Sequence, residues 1–220
     1  MSLKTPASPI VARVAPFAAF VLLTALEGSL GEASRYWIYL AKTIVGGWML
    51  WMFRGSISEM RWRFSLAGGI VGVLVFALWI GLDGHYPKWS GGNTPNWNPR
   101  SYFGQASFAA WCFVVVRLFG SSLVVPPLEE VFYRSFLYRY LVSPEFERFG
   151  LSQFSSKAFF ITALAFGLVH REWLPGILGG LAYQGLVISR GRLGDAIFAH
   201  AVTNLLLGRW VVWKGAWQFW

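Results

Sequence analysis

A chain of 220 residues that is 55% hydrophobic, 18% aromatic and only 13% charged is not composed like a soluble domain, where charged residues make up about a quarter. It reads as one integral membrane domain spanning 1–220, with no separate soluble module. The net charge of +9 comes from bases lying between apolar runs rather than in a dense patch interleaved with aromatics. That argues against nucleic acid as a partner, and for a lipid bilayer with basic loops against its anionic headgroups.

At ~20 apolar residues per spanning helix, the candidate spans are roughly 10–29, 37–53, 64–82, 103–120, 126–142, 157–170, 173–189 and 194–213. The first contains a stretch, 14–26, that could pass for a signal-peptide core. The EGSLGEAS that follows lacks a convincing cleavage site, so the helix is expected to stay. Gly68-xxx-Gly72 and Gly176-xxx-Gly180 suit close helix approach. The connection 83–101 is rich in Gly, Pro, Asn and Trp and reads as an ordered surface loop with an exposed His85. Cys112, the single cysteine, reads as a small core residue and excludes an intrachain disulfide. Pro126-Pro127, Pro144 and Pro175 mark helix starts and stops. Tryptophans near span ends (Trp37, Trp51, Trp62, Trp89, Trp173, Trp210, Trp213) fit an interfacial belt.

Arg54, Arg61 and Arg63 place the 54–63 loop in the cytoplasm, with Lys4 and Arg13 on the same side, and Arg190 and Arg192 do the same for the 190–192 turn. Five candidate spans between those loops is an odd number, so either one basic loop breaks the rule or one segment does not cross fully. The segment 126–142 is the best candidate.

Few ionisable residues then remain at membrane depth. Glu27, Lys42 and Arg117 lie near span ends and can snorkel, and Asp195 reads as a helix N-terminal residue. Glu129, Glu130, Arg134, His170, His200 and Asn204 cannot be dismissed in this way. Burying them is costly, so they should face a cavity and pair with one another. In a helix Glu130 and Arg134 are i,i+4 partners in the favourable order, which leaves Glu129 about 100° away, free for a separate role. His200 and Asn204, also four apart, share a helix face. A buried Glu helped by a His can take a proton from water; a second His and an Asn can stabilise the oxyanion formed when that water attacks an amide. Each group alone has a structural alternative: a buried ion pair, a core histidine, an interhelical hydrogen-bonded pair. All three together are harder to explain that way. Two His and one or two Glu could instead hold zinc, but there is no HExxH, and Asn204 is a poor ligand.

Glu129-Glu130-x-x-x-Arg134, Phe166-x-x-x-His170 and His200-x-x-x-Asn204, in that order and each on an expected membrane helix, resemble the three motifs of the CAAX protease and bacteriocin-processing family. They also look like those of a small bacterial branch associated with exosortase systems. The resemblance covers about 125–210, the protease core, with 10–120 similar only in being membrane helices. It implies an all-α polytopic bundle of about eight membrane helices enclosing a polar catalytic cavity, and metal-independent, glutamate-type proteolysis without a cofactor. By motif position Glu129 would be the general base, assisted by His170. His200 and Asn204 would form the oxyanion site, and Glu130 and Arg134 would support the first motif. Phe166 and Tyr133 are candidates for contact with a peptide or membrane-protein substrate, with packing as their alternative. The expected location is a multi-pass one, in the inner membrane if the chain is bacterial. A non-catalytic adaptor or chaperone binding a partner's tail in the same groove, and a proton-coupled transporter, are the rival functions.

Overall fold

The computed structural model describes residues 8–88 and 96–220; Lys4 and Trp89, used above for orientation and the interfacial belt, lie outside the described residues. Among the described residues the chain is an all-α bundle without strands: α1 (Pro9–Ala25), α2 (Ser34–Phe53), α3 (Leu66–Gly81), the short α4 (Pro99–Phe103), α5 (Phe108–Tyr140), α6 (Ser156–Leu168), α7 (Trp173–Arg190) and α8 (Leu193–Lys214). Local chemistry sets many of the ends. Ser65, Asn98, Ser107 and Ser155 cap α3, α4, α5 and α6 through their side chains. Gly191 and Gly215, at φ 62° and 67°, close α7 and α8 in the left-handed conformation.

The main departure from the sequence reading is α5. The expected spans 103–120 and 126–142 are one continuous helix of 33 residues, and Pro126-Pro127 lie inside it. It is continuous because two wide π-helical stretches, Gly120–Val124 and Val131–Leu137, flank the prolines. The segment 126–142 is therefore no re-entrant hairpin. Four long helices, an even number, separate the 54–63 loop from the 190–192 turn, which removes the conflict between them. The two meet at one end of the bundle, where a Cβ on Gly194 would run into the Arg61 carbonyl.

The N-terminal end of α1 reaches the same place. Arg13 and Arg139 each lie 2.8 Å from one oxygen of Glu59, which also accepts the Ser135 hydroxyl, and both guanidiniums sit over Phe146. Elements at the opposite end are held together separately. Tyr36 donates to the Asn98 carbonyl, Trp97 packs edge-on against Trp220, and Lys88 pairs with Glu172 at 2.9 Å.

Both glycine pairs are seams. A Cβ on Gly72 would lie 2.5 Å from the Ala199 carbonyl of α8, and one on Gly180 would lie 3.0 Å from Cα of Ala163 on α6. The Thr203 hydroxyl bonds the Gly72 carbonyl across the first seam. The outward surface is apolar, with Leu74, Val115, Phe160 and Leu205 exposed. Cys112 belongs to this surface and not to the core, because it lies on the outer side of α5. His85 is exposed, as expected. Among the described residues two helices, α5 and α8, are long and apolar enough to cross a membrane.

Candidate active site

The three sequence motifs fall on three helices: the first in the middle of α5, the second at the end of α6, the third in the middle of α8. Their side chains line one cavity of about 210 Å³, near the end of the bundle away from the 54–63 loop. Glu129, His170, His200, Asn204 and Phe166 are on its wall. Glu130 and Arg134 lie behind the wall and are fully buried. Tyr133 is not on the wall. It is buried, in edge contact with Phe17, Phe132 and Phe166.

His200 connects the two carboxylates. Its Nδ1 is 2.9 Å from Oε1 of Glu130, and its Nε2 is 3.9 Å from Oε2 of Glu129. Glu130 in turn receives Arg134 Nη1 at 3.2 Å, the i,i+4 pair expected from spacing. Arg134 also donates to the Gly180 carbonyl and stacks 4.2 Å over the Phe166 ring. This layer fixes the imidazole from behind. The Tyr183 ring lies parallel to it at 5.0 Å and is itself tied to Thr203 by a 2.7 Å hydrogen bond. Glu129 and Glu130 each have a buried Oε2 without a hydrogen-bond partner, but only Glu129 is on the cavity wall. An orphaned carboxylate oxygen inside a cavity is costly unless a ligand or water uses it.

His170 hangs from the last turn of α6 with Nδ1 2.7 Å from the Phe166 carbonyl. A carbonyl can only accept, so Nδ1 carries the proton and Nε2 presents a lone pair.

Asn204 donates from Nδ2 to the Ser121 carbonyl at 2.8 Å. The sequence supplies the reason this carbonyl is available. In the wide turn Val125 N–H bonds back five residues to Gly120. The next such bond would run from residue 126 to Ser121, but residue 126 is proline and has no N–H. The vacated carbonyl holds the Asn204 amide, whose second N–H is left over. Such wide turns recur at functional sites in helices.

Sequence reasoning missed several participants. Tyr183 and Ser121 carry no local signal. Lys42 and Arg117 were expected to snorkel outward, yet both line the cavity. Lys42 is buried and paired with Glu27 at 2.5 Å, because α2 turns that face toward α1 and α5 instead of lipid. No group of three His, Cys, Asp or Glu side chains among the described residues is arranged to hold a metal ion.

Residues 110–206 match the family model described as type II CAAX prenyl endopeptidase, Rce1-like. No curated protein and no solved structure matches the chain. The matched stretch contains all three motifs, the cavity's catalytic candidates and the ion-paired layer behind them. Over those residues the chain is similar to the CAAX protease family.

Proposed function

We propose that this protein is a multi-pass intramembrane endopeptidase that cleaves near the end of a membrane-associated protein or peptide, using a glutamate-activated water. The observation that carries this reading is convergence: Glu129, His170, His200 and Asn204, from three helices, face one partly open cavity. The apolar outer surface of the bundle supports placement in a bilayer.

In this mechanism water sits between the free oxygen of Glu129 and the Nε2 lone pair of His170. Glu129 removes its proton as the water oxygen attacks the scissile carbonyl. The oxyanion that forms is met by the spare N–H of Asn204 and by the Nε2 edge of His200. His200 is held in place for this by Glu130, whose Oε1 lies 2.9 Å from its Nδ1. Collapse of the tetrahedral intermediate breaks the C–N bond, and the proton held by Glu129 passes to the leaving amine. The low-dielectric walls, Phe166 and Tyr183 among them, strengthen each of these interactions.

The test is cleavage of quenched fluorescent peptides, lipidated and unlipidated, by protein purified in detergent, with and without a strong chelator. Wild type should cleave in chelator and Glu129→Gln should not. Loss of wild-type activity in chelator would replace the glutamate mechanism with a metal one. A Glu129→Gln protein that is fully functional in cells, with no peptide cleaved, would point to an adaptor.

A further inference from the structure

We infer that a small cavity at the 54–63 end of the bundle, away from the catalytic candidates, binds the phosphate of an anionic lipid headgroup. The inference depends on the bilayer placement proposed above and not on the proteolytic mechanism. The cavity measures about 170 Å³ between the 54–63 loop and the 190–192 turn, with Arg61, Arg63 and Arg192 on its wall. That is room for a phosphate and accompanying water. The acids nearby are already engaged. Glu59, also on the wall, is shared by Arg13 and Arg139 at 2.8 Å each. Asp195 is taken by Arg192 at 2.9 Å and by the Ser65 hydroxyl. The side chains of Arg61 and Arg63 have no ion pair and no hydrogen bond among the described residues. Two unpaired guanidiniums on one cavity repel each other. An anion between them turns that repulsion into attraction, and phosphate oxygens match the guanidinium fork.

The local sequence explains why these two arginines act together. Residues 60–65 form neither helix nor turn, and Ser65 at their end is extended, with φ −134° and ψ 150°. In an extended chain alternate side chains point the same way, roughly 6.6 Å apart. Residues 61–64 follow this rule: Arg61 and Arg63 line the cavity, while Trp62 and Phe64 stack on each other with centroids 6.3 Å apart. Such a spacing lets two guanidiniums grip one phosphate from two sides. Gly194 closes the opposite wall, where a Cβ would meet the Arg61 carbonyl and lie 2.9 Å from Cγ of Arg63. The apolar neighbours indicate the source of the phosphate. Trp62 is 37% exposed, Phe64 78% and Leu66 82%. A free phosphate has no use for such a surface, whereas a headgroup arrives with acyl chains that cover it at the depth where tryptophan sits in membranes. Basic cavities between helices on the cytoplasmic side suit anionic headgroups for the same reason.

The experiment titrates phosphatidylglycerol, phosphatidylcholine and inorganic phosphate separately into the full-length protein in neutral detergent. Salt at about 0.15 M screens diffuse attraction beyond ~8 Å. Binding is read by native mass spectrometry and by the shift in melting temperature. Wild type should retain phosphatidylglycerol in preference to phosphatidylcholine, and its melting temperature should rise with the former. Arg61→Gln/Arg63→Gln should bind phosphatidylglycerol about 10- to 100-fold more weakly, the value of a charge-assisted hydrogen bond. Its melting temperature before lipid is added should match wild type, since neither side chain has a partner to lose. Arg54→Gln/Arg148→Gln removes the same charge without touching the cavity and should bind lipid like wild type. Equal losses in the two double variants would reduce the effect to a diffuse basic surface and overturn the proposal. Equal binding of the two lipids by wild type would overturn it as well. Stabilisation by inorganic phosphate, with none by phosphatidylglycerol, would assign the cavity to a soluble phosphate and overturn the headgroup.

Discussion

The imidazole of His200 and the carboxylate of Glu130, 70 residues apart in sequence, meet at 2.9 Å in the fully buried layer behind the cavity. Glu130 thus serves two cations or donors at once, Arg134 and His200, while Glu129 beside it comes no nearer than 3.9 Å to His200 Nε2. Adjacent carboxylates on one helix therefore have opposite duties, and substitution should separate them. Glu129→Gln should leave thermal stability in detergent within about 0.5 kcal/mol of wild type and lower the cleavage rate by ~100-fold or more. Glu130→Gln strands Arg134 as a buried, uncompensated charge and should cost about 3–5 kcal/mol. The double change Glu130→Gln/Arg134→Met should recover most of that stability but not activity, since His200 still lacks its partner. Equal melting temperatures for Glu129→Gln and Glu130→Gln would contradict this division.

Pro126 has an unusual assignment: its missing N–H leaves the Ser121 carbonyl to Asn204. Pro126→Ala supplies a competing backbone donor. The expected result is an unchanged or slightly raised melting temperature together with a clear fall in kcat, because Asn204 loses its anchor. A variant that loses stability and keeps its rate would show that the proline only shapes the helix.

These cases show what could be read from the chain alone. Interactions within one or two turns were legible: the Glu130–Arg134 pair and the small faces at Gly68/Gly72 and Gly176/Gly180. They depend on spacing, and spacing is in the sequence. The fusion of two expected spans into α5 was hidden, because a Pro-Pro pair ordinarily breaks a helix, and the wide turns that accommodate it are supported by distant partners. Asn204 reaches Ser121 across 83 residues. Tyr183 lies under His200 without any motif of its own. Lys42 and Arg117 looked like snorkelling bases because sequence position gives depth along a helix but not the direction a residue faces.

The Glu59 cluster gives a pH prediction. Burial on its own would raise the Glu59 carboxyl, but the Ser135 hydroxyl and the Arg13 guanidinium more than reverse this and hold it below its ordinary value of 4.5. A group depressed on folding contributes stability that is complete above its unfolded value and is lost as pH falls through the folded one. The melting-temperature gap between wild type and Glu59→Gln should therefore be constant from neutral pH down to about 5, and should close below that as Glu59 takes a proton. At neutral pH the variant should be the less stable, since Arg13 and Arg139 lose their shared carboxylate. A gap that widens on acidification would mean that Glu59 is not the anion holding this end together.

Orientation follows from the same end of the bundle. The 54–63 loop, the 190–192 turn and the start of α1 meet there, and their arginines favour the cytoplasmic side. The cavity lies toward the other end, lined there by His170 and by Trp220, against which Trp97 packs. Substrate should accordingly enter from the non-cytoplasmic side of the bilayer. In a Cys112→Ser background, a cysteine at exposed Arg61 should be protected from a membrane-impermeant maleimide in intact cells, and one at exposed Ser101 should be labelled. The reverse pattern would turn the protein over and make its substrates cytoplasmic termini, without altering the arrangement of Glu129, His170, His200 and Asn204 around the cavity.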